Sequence, residues 1–191
     1  MPKKQFSDTS IFLTLTVVSL GAAAVLAATF HVTEKPIQLA EKQKKEDALK
    51  IVLPPDTDTI ESVETSWNNQ KIPVDLARNK DGAVAGYAVE TTSSNGYGGD
   101  IVFQIGFDAS GSVITYMVME HTETPGLGEN ICGDVFRKQF NGKNLQNFKF
   151  AVTKDGGDVE AITAATISSR AASEALKQGA EIIDAFRKAN P

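Results

Sequence analysis

At 191 residues the chain has room for one membrane segment and one compact domain of about 140 to 150 residues, enough to bury a core of its own. A net charge of −5, from 24 acidic and 19 basic residues with no dense Lys/Arg block outside EKQKKEDALK, excludes the electrostatic footprint of a nucleic-acid binder. Its one cysteine, Cys132, excludes an intrachain disulfide, a zinc knuckle or a cysteine-ligated iron–sulfur cluster built from this chain alone, so redox chemistry here requires a cofactor held in another way.

Residues 1–10 read as a cytoplasmic N-terminus and 11–32 as a transmembrane helix. Ile11 to Phe30, IFLTLTVVSLGAAAVLAATF, carries no charge over 20 residues; at about 1.5 Å of rise per residue that is about 30 Å, the thickness of a bilayer core. The small residues of AAAVLAA also suit a cleaved signal peptide, but the apolar region of a signal peptide is only about 7–15 residues long, and the length here favours a retained anchor. No cysteine stands near its end for a lipid anchor. Lys3 and Lys4 precede the segment while Glu34 and Lys35 follow it, which predicts an N-terminus in the cytoplasm and a domain on the far side of the membrane. Residues 33–55 read as a charged juxtamembrane helix or linker, ended by Pro54 and Pro55, with Leu39, Leu49 and Val52 as its few apolar positions. Glu41, Glu46 and Asp47 lie between its lysines and weaken any attraction to anionic lipid, so a solvated face is expected.

Residues 56–191 form the extracytoplasmic domain. From Thr59 the period becomes that of strands: KIPVDLARN, AVAGYAVETT, DIVFQIGFD and SVITYMVMEHT are separated by turn signals at Asp81-Gly82, Asn95-Gly96 and Ser110-Gly111, the spacing of an antiparallel meander. GENICGDVFRKQFNG predicts a helix with Ile131, Val135, Phe136 and Phe140 on one side, followed by a strand, FKFAVTK, and a last helix from about Thr163 to Lys188. The expected fold class is α+β, helices packed on an antiparallel sheet behind one N-terminal transmembrane helix. Trp67 and the phenylalanines are most simply core.

The last helix places Ile167, Ala171, Ala175, Ile182 and Phe186 at helical spacing, beside Ala172, Leu176 and Ile183. Thr163 is its candidate N-cap, which sets Ala164, Ala165 and Thr166 in the first turn, where N–H groups lack helical acceptors and the dipole favours an anion. From these residues alone an ordinary helix start, with Thr163 capping and Thr166 in solvent, is the more common case, since many helices begin this way. Two glycine-bearing loops accompany it: SSNGYGGDI, with Gly96, Gly98 and Gly99 around Tyr97, and HTETPGLGENI, with Glu123, Thr124, Pro125, Gly126 and Gly128 closed by Leu127. The first lacks the Gly-Lys-Ser/Thr ending of a P-loop, which argues against nucleotide hydrolysis. His121 is a lone histidine at a strand end, a position more often structural than catalytic. A hydrolase using Ser168 or Thr166 with His121 has no nucleophile motif behind it.

GYGGDI, ETPGLG and ITAATISS, in this order in a domain of this length behind one anchor, resemble the FMN-binding G subunit of Rnf-type electron-transport complexes (RnfG/RsxG). The C subunit of the sodium-pumping NADH:quinone reductase, NqrC, shares the last motif. In that family a flavin transferase joins FMN through its phosphate to a threonine in the pattern Asp-x-x-(Ser/Thr)-Gly-Ala-Thr. The pattern falls on Glu160 to Thr166, with Glu160 in place of the aspartate and Ala164 in place of the glycine. The resemblance implies covalent FMN on Thr166, with Thr163, Ala164, Ala165, Glu123, Thr124, Gly126, Leu127, Gly128 and Tyr97 around it. It implies a single-pass subunit of a bacterial inner membrane whose periplasmic domain relays electrons among the other subunits of an ion-translocating complex, and not a stand-alone catalyst. A poor nucleophile with no base beside it in the sequence agrees with attachment by a separate transferase. The alternatives are a C-type subunit of the sodium-pumping reductase and a non-redox, anion-binding scaffold domain on a membrane anchor.

Overall fold

The computed structural model describes residues 8–190. Lys3 and Lys4, which set the expected orientation, and Pro191 lie outside the described residues. The chain divides into two compact units, one up to Lys44 and one from Lys45 onward.

Helix α1 runs from Asp8 to Val52 and takes in both the expected transmembrane and juxtamembrane stretches, with Pro36 inside it. Its most apolar 18-residue window has a mean hydropathy of 2.3 and none of that window is buried, so the helix is long and apolar enough to cross a bilayer. The hydroxyls of Thr14, Thr16 and Thr29 donate to the carbonyls of Ser10, Phe12 and Val25, four residues back in each case, so these polar groups are satisfied within the helix.

The second unit is built on a five-stranded antiparallel meander: β1 (Thr59–Trp67), β2 (Gln70–Arg78), β3 (Val84–Ser93), β4 (Ile101–Asp108) and β5 (Val113–Glu120), in that spatial order. The first of the four quoted strand runs begins at Lys71; β1 precedes it as an edge strand, starting at Thr59 where the strand period begins. Its turn is Asn68-Asn69, both at positive φ (49° and 62°), with Trp67 opposite Gln70. Asparagine tolerates that conformation, and paired positive φ values are what a two-residue hairpin requires.

Alternation gives the sheet two faces. Val74, Leu76, Tyr87, Val89, Phe103, Ile105, Phe107 and Tyr116 point inward to the main core, where α3 (Thr166–Ala189) packs with Ala171, Ala172, Ala175, Leu176, Ile182, Ile183 and Phe186. Each large apolar side chain so buried contributes about 1.5–3 kcal/mol. Ala77 and Ala88 point outward and are covered by Leu49, Val52 and Leu53 from the end of α1. This approach is close: a Cβ on Gly106 would lie 1.9 Å from the Val52 carbonyl oxygen. Lys45 Nζ sits 3.6 Å from the carboxylate of Asp75, which is buried. The compact unit therefore begins at Lys45, with the last turns of α1 as part of it, where the sequence assigns them to a linker.

Three sequence expectations give way. Residues 128–140 are not one helix but a 3-10 turn (Gly128–Cys132), a single α turn, α2 (Asp134–Arg137), and another 3-10 turn (Lys138–Phe140), broken at Gly133, whose backbone is extended. Ile131, Phe136 and Phe140 still reach the core, while Val135 is 89% exposed. The run 148–154 is not a strand; its only ladder contact is a bridge from Val152 to Val159. The free edge of β5 is instead met by residues 142–143, bonded to Val113. Phe148 and Phe150 alternate as in a strand because both join an aromatic cluster with Phe140 and Phe136. The last helix starts at Thr166, so Thr163 is not its cap.

Candidate functional site

The start of α3 is set by a turn over Ile162–Ala165, closed by the Ala165 N–H to the Ile162 carbonyl at 3.0 Å. Its third residue, Ala164, has φ +62°, in the position that type II turns reserve for glycine. Ala165 is the N-cap residue and supplies no side-chain bond. Its work is done by Ser169: the buried hydroxyl accepts the Ile162 N–H (3.0 Å) and donates to the Ala165 carbonyl (2.9 Å), tying the turn to the helix. Thr166, Ile167 and Ser168 then form the first turn, with N–H groups facing away from any helical acceptor.

Two loops converge on this turn. In the segment after β5, Pro125 and Gly126 (φ +73°) form a turn in which the Thr124 carbonyl accepts the Leu127 N–H at 3.1 Å. The side chain of Asn130 donates to the Gly126 carbonyl at 2.8 Å. The segment between β3 and β4 is bonded to the one after β5 through Gly98, whose carbonyl accepts from Thr122 Oγ1 (2.7 Å) and whose N–H donates to Glu123 Oε1 (3.0 Å). Glu123 is 5% exposed, and its second oxygen accepts the hydroxyl of Ser168, itself buried in the first turn of α3. Two of the loop glycines leave room for this carboxylate: a Cβ on Gly128 would lie 2.3 Å from Glu123 Oε2 and 2.6 Å from Ser168 Oγ, and one on Gly96 would lie 2.2 Å from the Gly99 carbonyl oxygen and 2.8 Å from Oε1.

Between the three segments lies a cavity of about 460 Å³ lined by Tyr97, Glu123, Thr124, Leu127, Gly128, Ala164, Ala165, Thr166, Ile167 and Ser168. Eight of the ten residues singled out in the sequence meet here. Thr163 is exposed on the turn and Gly126 sits at the far end of its own, and neither lines the cavity. Ile167, expected on the buried face of the helix, is 46% exposed; with Leu127 (43%) and Tyr97 (69%) it forms an apolar rim. Ser168 is the participant that sequence reasoning names only for a hydrolase; its spacing to Thr166 is legible, its partner Glu123 is 45 residues away and is not. Among the hydroxyls of this segment, Ser168 and Ser169 are buried and engaged, whereas Thr166 is half-buried at the cavity wall.

His121 turns its Nδ1 to the Glu123 N–H at 3.3 Å, a structural contact outside the cavity wall. On the other side of Ile167 a second cavity of about 460 Å³ is lined by Phe150, Val152, Asp155, Arg170 and Glu174 among others. Its charged side chains have protein partners: Arg170 holds Asp155 through two bonds of 2.6 and 2.8 Å, Glu174 accepts from Ser93 and Asn95, and Lys177 lies 3.7 Å from Glu181. The hydrogen bonds from Arg170 hold the Asp155 carboxyl below the usual carboxylate range. Cys132 lies half-buried against the core, and burial pushes its thiol up, away from the reactive thiolate.

The FMN-binding domain family model matches residues 96–181, a stretch that contains all three of these segments. Over nearly the full chain the sequence is similar to the G subunit of an ion-translocating oxidoreductase complex from Methanosarcina acetivorans, at 35% identity over 181 residues, 93% of this chain and 95% of that one. It is also similar to the G subunit of the proton-translocating ferredoxin:NAD(+) oxidoreductase complex of Clostridium ljungdahlii, at 30% identity over 189 residues and 96% of each chain. Among solved structures the fold is similar to NqrC of Shewanella oneidensis, with a TM-score of 0.52 over 73% of this chain and 72% of that one; at 17% identity the likeness concerns the fold alone.

Proposed function

This chain belongs to the family of G subunits of ion-translocating oxidoreductase complexes and carries its FMN-binding domain, and from that premise we propose that it is a membrane-anchored electron carrier with FMN joined through its phosphate to Thr166. The observation that carries this reading is Thr166 itself, an available hydroxyl in the first turn of a helix, at the wall of a cavity whose rim is apolar. A cavity of about 460 Å³ falls within the usual range of about 300–1,000 Å³ for cofactor sites. The N–H groups of Thr166, Ile167 and Ser168 and the positive end of α3 hold the phosphate. Tyr97, Leu127 and Ile167 provide the apolar surface for the ring and keep water from one side of it. Bound FMN supplies reversible electron transfer; this chain supplies position and electrostatics.

Attachment requires a separate flavin transferase acting on FAD. The Thr166 oxygen bonds to the FMN-side phosphorus, the pyrophosphate bond breaks, AMP leaves, and the hydroxyl proton goes to a base of the transferase. Ile11 to Phe30 holds hydroxyls, bonded within the helix, and no ionisable side chain, which supports assigning ion movement to other subunits. In this reading α1 anchors the chain in an inner membrane with its N-terminus in the cytoplasm, and the domain works on the far side beside the other redox subunits. Identity over the whole chain with G subunits supports membership of that type of complex over a C-type subunit, for which the likeness is one of fold.

The test is co-expression with a flavin transferase, followed by intact mass and ultraviolet fluorescence after denaturing electrophoresis. The native chain should carry a mass increment of one FMN less one water, and Thr166→Ala should be colourless while folding normally. FMN still attached in Thr166→Ala would refute the assignment, and a colourless native chain would support the reversible anion-binding scaffold instead.

A further inference from the structure

The buried carboxylate at the centre of the three segments is bonded to two of the elements around it. Both oxygens of Glu123 are taken by the protein, one by the Gly98 N–H and one by the Ser168 hydroxyl, and its own N–H is met by His121. The side chain is 5% exposed and Ser168 is 1% exposed. A methyl group on Gly128 would displace this contact from one side, and one on Gly96 from the other. A carboxyl group at that depth is retained only if its hydrogen bonds are complete, and here they join two loops to one helix. Its partner Ser168 lies in the first turn of α3.

We propose that Glu123 is a positioning residue that acts through Ser168. It ties the Tyr97 loop and the Thr124–Leu127 turn to the first turn of α3, fixes the wall on which Thr166 presents its hydroxyl, and withholds the neighbouring Ser168 hydroxyl from modification. It does so from the wall of the cavity that it also lines. The consequence for flavin attachment rests on the reading of Thr166 as the acceptor; the tie between loops and helix does not.

Two measurements on the full chain in detergent separate these. The first is amide hydrogen exchange on protein made without a transferase, comparing native, Glu123→Ala and Ser168→Ala. Glu123→Ala should speed exchange at residues 96–99 and at residues 165–169 together, by about tenfold or more, as expected from losing a hydrogen bond to a charged group. Acceleration confined to the loop, with the start of α3 unchanged, would overturn the tie.

The second is the initial rate of FMN transfer from FAD by added transferase, well below each variant's melting temperature. Ser168→Ala should be slowed about tenfold and Glu123→Ala, which also loses the Gly98 bond, at least as much, and the double variant no further than Glu123→Ala, in which the Ser168 contact is already lost. Glu123→Gln should recover most of the rate, since its amide oxygen still accepts from Gly98 and its nitrogen can donate to Ser168 Oγ. Peptide mapping of any product from Glu123→Ala should find part of the flavin on Ser168. Rates within twofold of native, or losses that multiply in the double variant, would overturn the positioning role. A native chain that accepts no flavin would sink the Thr166 reading alone, and the exchange experiment would still decide the tie.

Discussion

Ala164 carries the clearest single-residue consequence. It occupies φ +62° in a turn ahead of the helix, where an L-residue with a Cβ is strained and glycine is not. Ala164→Gly should therefore raise stability by about 0.5–1 kcal/mol, read as a shift in the denaturant midpoint of the full chain in detergent. If Ala164 lay in the first helical turn the sign would be opposite, so a lowered midpoint refutes this geometry. Thr163→Ala, which removes no cap, should stay within about 0.5 kcal/mol of native. Ala165 differs from both neighbours. It is 6% exposed, so a leucine there overpacks the helix start, and any loss of flavin in Ala165→Leu would report folding rather than room for phosphate.

At the level of elements, two contacts hold pieces of the unit together by different physics. The end of α1 lies on the outer face of the sheet because Gly106 leaves room for the Val52 carbonyl. Gly106→Ala should cost about 1–3 kcal/mol and loosen residues 45–53, visible as faster amide exchange there with the inner core still protected. The Asp155–Arg170 pair clamps the 153–155 turn to α3 beside the cavity. Its carboxyl titrates below the ordinary value of 3.8 in the folded chain, through the Arg170 hydrogen bonds first. A depressed folded value means that the contribution is complete above the unfolded value and disappears as pH falls through the folded one. Asp155→Asn should thus narrow the stability difference between neutral and acid solution below about pH 4, with little effect on the difference between pH 6 and 8. The pair is partly exposed, and added salt should shrink the effect.

For the whole molecule the prediction is topological. With α1 as a retained anchor and the N-terminus inside, a reporter active only outside the cytoplasm should work when fused after Pro191, and the purified chain should still begin at Met1 or Pro2. A mature chain beginning near Ala28 would mean a cleaved signal peptide. An inactive external reporter with an active cytoplasmic one would reverse the orientation and exclude a periplasmic electron-transfer role.

Periodicity and composition determined much of this protein. An uncharged run of bilayer length, four strands of a meander with their glycine turns, and a small-residue helix face are local patterns, each set by contacts a few residues apart or by the solvent on one side. The motif segments were legible for the same reason, since glycines and hydroxyls stand out in short windows. Tertiary structure decided what those residues do. Alternating Phe148 and Phe150 mimic a strand, yet their edge is taken by residues 142–143. Thr163 has the chemistry of a cap, but Ser169, reaching back from inside the helix, performs that task. The loop glycines suggest a ligand, whereas three-dimensional packing shows Gly128 and Gly96 making space for Glu123 and Gly98 making space for the Thr122 backbone. A contact between residues 45 positions apart leaves no periodic trace in the chain, because what brings Glu123 to Ser168 is the burial of the sheet and α3 against each other.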